Sequence, residues 1–327
     1  MVETTLVQIV KALIIFVIIL QVVPLLVLLE RKLLGRFQAR LGPNRVGPRG
    51  LLQPLADVFK LMSKEQFAPA TAVPWMMALA PAISITTAVA TLAILPFGPF
   101  GAWGGDFGLY GIDVSIGLLY FLAFGSLAFY GLVLGGWSSG SKYSFLGAMR
   151  SAAQLISYEV ALGLSLLGVV MTAGSLSLVD IVEAQDEVWY IVPQFAGFLI
   201  FLVAGFAETA RVPFDLPEAD AEIVAGYNTE YGGMRFGSFF MAEYIEVVVI
   251  SAIAAACFLG GWRGPGPEAL APLWMLLKIF AGVVFFIWIR ATLPRLRYDQ
   301  LMSFGWKVLL PLATLNVLAT AIVLVVT

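Results

Sequence analysis

Residues 208–235 read ETARVPFDLPEADAEIVAGYNTEYGGMR, and apolar runs flank this stretch on both sides. It holds six carboxylates (Glu208, Asp215, Glu218, Asp220, Glu222 and Glu230) against two arginines, Arg211 and Arg235. The flanking runs, 188–207 and 237–259, are each long enough to cross a hydrocarbon layer of about 30 Å as a helix. So much like charge between two such helices marks a loop at a membrane surface. Burying it there costs free energy, so the acids point to binding of protons or cations rather than to packing.

The same reading extends along the chain. Hydrophobic residues fill 60% of the 327 positions and charged residues 12%, which describes a polytopic membrane protein. Hydropathy gives eight spans, at about 6–29, 72–96, 112–137, 152–172, 188–207, 237–259, 273–289 and 308–326. The expected fold is all-α: eight transmembrane helices in a single membrane domain, 1–327, with short amphipathic helices in cytoplasmic loops 1 and 5. Leu6–Leu29 is read as a retained helix and not a secretory signal. It is too long, Glu3 precedes it, and no small-residue cleavage site follows.

Sixteen of the 19 Lys and Arg residues fall in loops 1, 3, 5 and 7, whereas loops 2, 4 and 6 carry Asp106, Asp180, Glu183, Asp186, Glu187 and Glu268. The bias toward basic inner loops places loops 1, 3, 5 and 7 in the cytoplasm and both termini outside. In loop 1, residues 30–71, a turn-rich basic stretch precedes Leu51, Leu55, Val58, Phe59 and Met62 at helical spacing. That pattern predicts an amphipathic helix at the membrane surface. In loop 5, residues 208–236, Pro217 suits the first turn of a helix on which Glu218 and Glu222 share a face and repel.

Cys257 is the single cysteine and histidine is absent. Ligation of an iron–sulfur cluster by four thiolates and haem or zinc binding through imidazole are therefore excluded for this chain alone. No metal site, flavin site or nucleic-acid surface is expected. Proton chemistry must use carboxylates, lysine, tyrosine or water.

Glu159, Glu243 and Glu246 lie within predicted spans four and six, about 10–14 Å below the inner surface at 1.5 Å per residue. Glu208 closes span five. Matched depth on three consecutive spans favours a polar path over isolated packing acids. Lys278, in the outer half of span seven, is a candidate counter-charge, and Lys11 is close enough to an end to snorkel. Gly131 and Gly135 suggest close helix contact on span three. A free-standing cation or proton transporter would place acids similarly, although no repeat between the halves is visible.

Several long motifs carry a resemblance. ERKLLGRFQ at 30–38, GPNRVGP at 42–48, LLQPLAD at 51–57, SYEV at 157–160, PFDLPE at 213–218, AEY at 242–244 and WIR through PRLRYDQLM at 288–302 span nearly the whole chain. Together they resemble the H subunit of proton-pumping NADH:quinone oxidoreductase (respiratory complex I), whose mitochondrial counterpart is NADH dehydrogenase subunit 1. The resemblance implies a bacterial inner-membrane subunit that forms the membrane side of the quinone tunnel and takes ubiquinone or menaquinone as substrate. It implies peripheral-arm iron–sulfur and quinone-site subunits, small and antiporter-like membrane subunits, and membrane lipid as partners. Glu159, Glu208 and Glu243 then correspond to an acidic proton channel, with Glu246 and Lys278 as further candidates. Asp215, Glu218, Asp220, Glu222 and Glu230 correspond to a loop that senses quinone charge. Arg36, Gln38, Asn44, Arg45, Asp57 and Phe214 are candidates for the tunnel wall. Ala210 stands where the family commonly has asparagine, and Asp220 where it commonly has glutamate.

Overall fold

The computed structural model describes residues 21–100, 108–216 and 223–326. Helix α1 is described over 21–37, followed by α2 (Gln53–Ser63) and α3 (Pro74–Leu92). A two-stranded antiparallel hairpin, β1 (Pro96–Phe100) and β2 (Gly108–Tyr110), leads to α4 (Gly117–Ser138). Then come α5 (Lys142–Ala173), α6 (Leu178–Glu183), α7 (Phe195–Glu208), α8 (Gly233–Phe258) and α9 (Ala271–Thr292). The last helix, α10, spans Tyr298–Val326.

Among the described residues, six helices are long and apolar enough to cross a membrane: α3, α4, α5, α8, α9 with its leading turn, and α10. The expectation of eight spans is therefore met only in part. The first predicted span, 6–29, falls largely outside the described residues. The fifth, α7, has 14 residues and so measures about 21 Å, short of a full crossing. Pro193 precedes it. At its start the Gln194 side chain turns sideways, donating to Thr320 Oγ1 at 2.8 Å and accepting from Asn316 at 3.2 Å. The hairpin is a correction to the all-α expectation, because Pro96 and Pro99 cannot continue a helix beyond α3.

Two other boundaries moved. Helix α5 begins at Lys142 and not near 152, directly after Gly140 at φ 66. Helix α10 begins at Tyr298 and not near 308, and carries a wide π turn at Gly305–Leu309. There Gly305 leaves room for the Tyr158 ring, whose hydroxyl donates to the Leu301 carbonyl at 2.8 Å. Trp306 Nε1 donates to Ser157 Oγ at 3.1 Å, and Arg150 lies 5.9 Å from the centre of the Tyr298 ring.

Helix α8 is the axis of the bundle. Within its apolar stretch 72% of residues are buried, against 17% for α10. Its second half, Ser251 to Ala256, consists mostly of small residues, which let α7 and α9 approach closely. Gly205 of α7 faces Ile250, and Gly282 of α9 faces Ser251. On the other side Gly131 of α4 packs directly on Ser84 and Ala80 of α3, with no room for a Cβ. Gly131→Val should separate the two helices at a cost of about 1–3 kcal/mol. A lowered thermal midpoint of the detergent-extracted protein checks this.

Candidate functional site

Two polar clusters lie around the end of α7. The first is built on Glu30, which is 2% exposed near the end of α1. It accepts from Arg211 at 2.8 Å, from the Tyr244 hydroxyl at 2.6 Å and from Arg290. The Arg211 guanidinium also lies 4.1 Å from the centre of the Tyr244 ring. Four segments far apart in sequence thus meet on one carboxylate. Burial, the largest single influence, would lower the pKa of Arg211, but Glu30, Tyr244 and Glu243 together outweigh it and hold the group above its ordinary value. Buried charges are tolerated when paired and hydrogen-bonded, as here.

This cluster fixes the start of the acidic loop. Helix α7 ends at Glu208, and Ala210 turns the chain at φ 47, a left-handed conformation that asparagine adopts more readily than alanine. Beyond Arg211, Gln154 Nε2 of α5 donates to the carbonyls of Ala207 and Phe214, each at 2.7 Å. Leu296 N donates to the Pro213 carbonyl at 3.0 Å, tying in the segment before α10. Phe214 is buried, its ring centre 5.9 Å from that of Tyr158.

The second cluster holds the membrane acids. Glu208, Glu243 and Glu246 line one cavity of about 30 Å³ together with Ser84, Thr209 and Tyr227. Tyr227 donates to Glu243 Oε1 at 2.9 Å. Glu208 Oε2 is buried without a protein partner. Glu159, on α5, accepts from Ser126 of α4 and sits within electrostatic reach of Glu208. An acid with an orphaned buried oxygen beside a cavity of this size is a place for water, since about 10–15 Å³ accommodates one molecule.

The other candidates are placed as follows. Lys278 does not meet the acids. Its ammonium donates to the carbonyls of Leu259, Gly261 and Arg263 at 2.6–2.7 Å, just beyond the far end of α8, and lies 4.4 Å from the centre of the Trp189 ring. A flexible ammonium meets the unsatisfied carbonyls of a helix end there. Asp57 pairs with Arg31 at 2.6 Å and joins α2 to α1. Arg36, Asn44 and Arg45 are exposed, and exposed Gln38 accepts from Arg40 at 2.7 Å. Glu230 is half-buried, and Asp215 lies in the turn after Phe214. Glu218, Asp220 and Glu222 lie outside the described residues, as does Lys11. The residues that sequence reasoning missed are Glu30, Arg211 and Arg290. A carboxylate at the end of a span, with arginines at the matching ends of others, was the available signal.

The NADH dehydrogenase family model matches residues 10–321. The second H-type subunit of the NADH-quinone oxidoreductase of Geobacter sulfurreducens is 55% identical over 316 residues, covering 96% of this chain and 95% of the relative. The first such H-type chain of Geobacter metallireducens is 54% identical over 316 residues, with the same coverage. The corresponding H-type chain of Thermomicrobium roseum is 50% identical over 305 residues, covering 90% of this chain and 89% of the relative.

Proposed function

The chain belongs to the NADH dehydrogenase family, and from that membership we propose that it is the membrane subunit of a proton-translocating NADH:quinone oxidoreductase. In this reading it walls the membrane side of the quinone tunnel and links quinone reduction to proton movement through buried carboxylates. The observation that carries it is the gathering of Glu208, Glu243 and Glu246 round one cavity. That cavity also reaches Thr209 and Ala210, the residues that lead into Arg211 and the acidic loop.

The chemistry follows from the charges. Reducing a quinone consumes protons as well as electrons. The electrons come from a neighbouring subunit, since a chain with one cysteine cannot supply four thiolates to a cluster. Demand for protons at the loop acids, Asp215, Glu218, Asp220, Glu222 and Glu230, shifts the proton occupancy of the acids behind them. Closely spaced carboxylates titrate as a group, so a charge placed at one end is felt at the other. The relay runs from the loop through Glu243, Glu246 and Glu208 to Glu159, which faces neighbouring membrane subunits. Arg36, Gln38, Asn44 and Arg45 form the tunnel's approach, and α2 lies along the membrane surface with Leu55, Phe59 and Met62 outward. Both termini face the outer side of a bacterial inner membrane. Lys278 is outside the relay in this assignment and holds the far end of α8.

Glu159→Gln in the intact complex tests the relay's exit. In sealed vesicles the proton-to-electron ratio should fall by half or more, while electron transfer from NADH to ferricyanide is unchanged. A normal ratio in an assembled complex rejects the relay.

A further inference from the structure

A cleft of about 570 Å³ opens at the far end of α8, where the end of α6 and the start of α9 meet. Its size falls within the range of small-ligand sites, about 300–1,000 Å³. No member of the relay lines it. Three of the chain's eight tryptophans do: Trp189, Trp262 and Trp274. An interfacial belt spreads such rings round a bundle, whereas these converge on one space. The loop after α8 is shaped to hold them. Gly264 lies directly against the Trp274 ring with no room for a Cβ, and Trp274 Nε1 donates to the Pro265 carbonyl at 3.0 Å. Gly260, at φ 70, leaves the same room for Trp189, whose Nε1 a Cβ there would meet at 2.7 Å.

We propose that this cleft seats the headgroup of a phospholipid that carries an ammonium group, such as phosphatidylethanolamine. The assignment stands apart from the relay.

The charges at the rim suit a zwitterion. Glu183 and Glu268 line the cleft, are exposed, and have no basic partner among the described residues. Two free carboxylates beside three indoles attract a cation, since indole faces bind cations best of the aromatic rings. A headgroup with negative charge alone would meet those carboxylates uncompensated. Arg263, also in the lining, pairs with Asp186 and donates to the carbonyls of Val182 and Glu183, each at 2.9 Å. That occupies three of the five guanidinium donors and leaves two for a phosphate. Lys278 does not compete for it, because its ammonium is held by three carbonyls. Below the cleft the exposed side chains of Leu270, Leu273, Leu277 and Phe280 follow one another at helical spacing down α9. The acyl chains lie along that stripe.

The test uses the intact complex in liposomes of equimolar phosphatidylethanolamine and phosphatidylglycerol. A photoreactive benzophenone side chain placed at Leu273 reports its neighbour by the mass of the adduct. Phosphatidylethanolamine adducts should exceed phosphatidylglycerol adducts by about threefold. The double variant Glu183→Gln with Glu268→Gln should bring the two to parity while NADH:quinone activity is retained. If that variant fails to assemble, Glu268→Gln alone decides. Parity in the otherwise unaltered complex, an excess that survives the carboxylate variants, or a crosslink to another protein chain overturns the site. Free phosphoethanolamine, added at the concentration of the lipid, should leave the excess unchanged. Loss of the excess there would assign the cleft to a soluble amine and overturn the lipid.

Discussion

Glu208→Gln should abolish proton pumping by the complex and slow quinone reduction by about two orders of magnitude, the size of effect that removing a proton-transfer group has. Of the membrane acids in the relay, Glu208 alone carries an orphaned buried oxygen and lies on a different helix from Glu243 and Glu246. Without it the path from loop to Glu159 has no carboxyl between α8 and α5. The amide keeps the size of the side chain and some hydrogen bonding, so assembly survives and the loss is chemical. Glu208→Asp, one methylene shorter, should restore part of the rate. Vesicle acidification measured against NADH oxidation reads both quantities. Full pumping with the normal proton ratio in Glu208→Gln would remove this residue, and the relay with it.

The second large effect concerns stability. Glu30→Gln leaves Arg211, 8% exposed, without its carboxylate, and strands half-buried Arg290 beside it. Removing one partner of a buried pair costs about 3–5 kcal/mol, a large part of a domain's margin. The amount of complex on a native gel should fall severalfold or more. Because most of that cost is the stranded charge, the double variant Glu30→Gln with Arg211→Gln should recover part of the loss. An amount equal to wild type in the single variant, or no recovery in the double, contradicts this account.

The contrast between these two sites shows what a one-dimensional reading can reach. Glu208, Glu243 and Glu246 were legible because hydropathy gives depth along each span, and depth alone brings acids on adjacent helices together. Glu30 and its partners were not, because Arg211 and Arg290 lie 181 and 260 residues away, and no local pattern encodes which helix ends meet. Lys278 lies in the half of the bundle away from the acids, as its position in the span suggested, but its partner was not legible for a related reason. Charge suggests a carboxylate partner, but the geometry of a helix end offers three carbonyls instead. Helix type followed from apolar run length, whereas element ends did not: α7 starts late behind Pro193, and α5 and α10 start early. The hairpin after α3 had a visible cause in Pro96 and Pro99, but the pairing of its strands did not.

The π turn of α10 has a consequence for how this chain can vary. A single surplus residue in a helix shifts everything beyond it by about 100°. The stretch that meets Arg150 and Tyr158 and the stretch that offers Asn316 and Thr320 to Gln194 are thereby phased independently, like two scales of a vernier. Chains of this kind that gain or lose one residue should do so at 305–309. A deletion there would swing Thr320 off its partner while leaving Tyr298 in register.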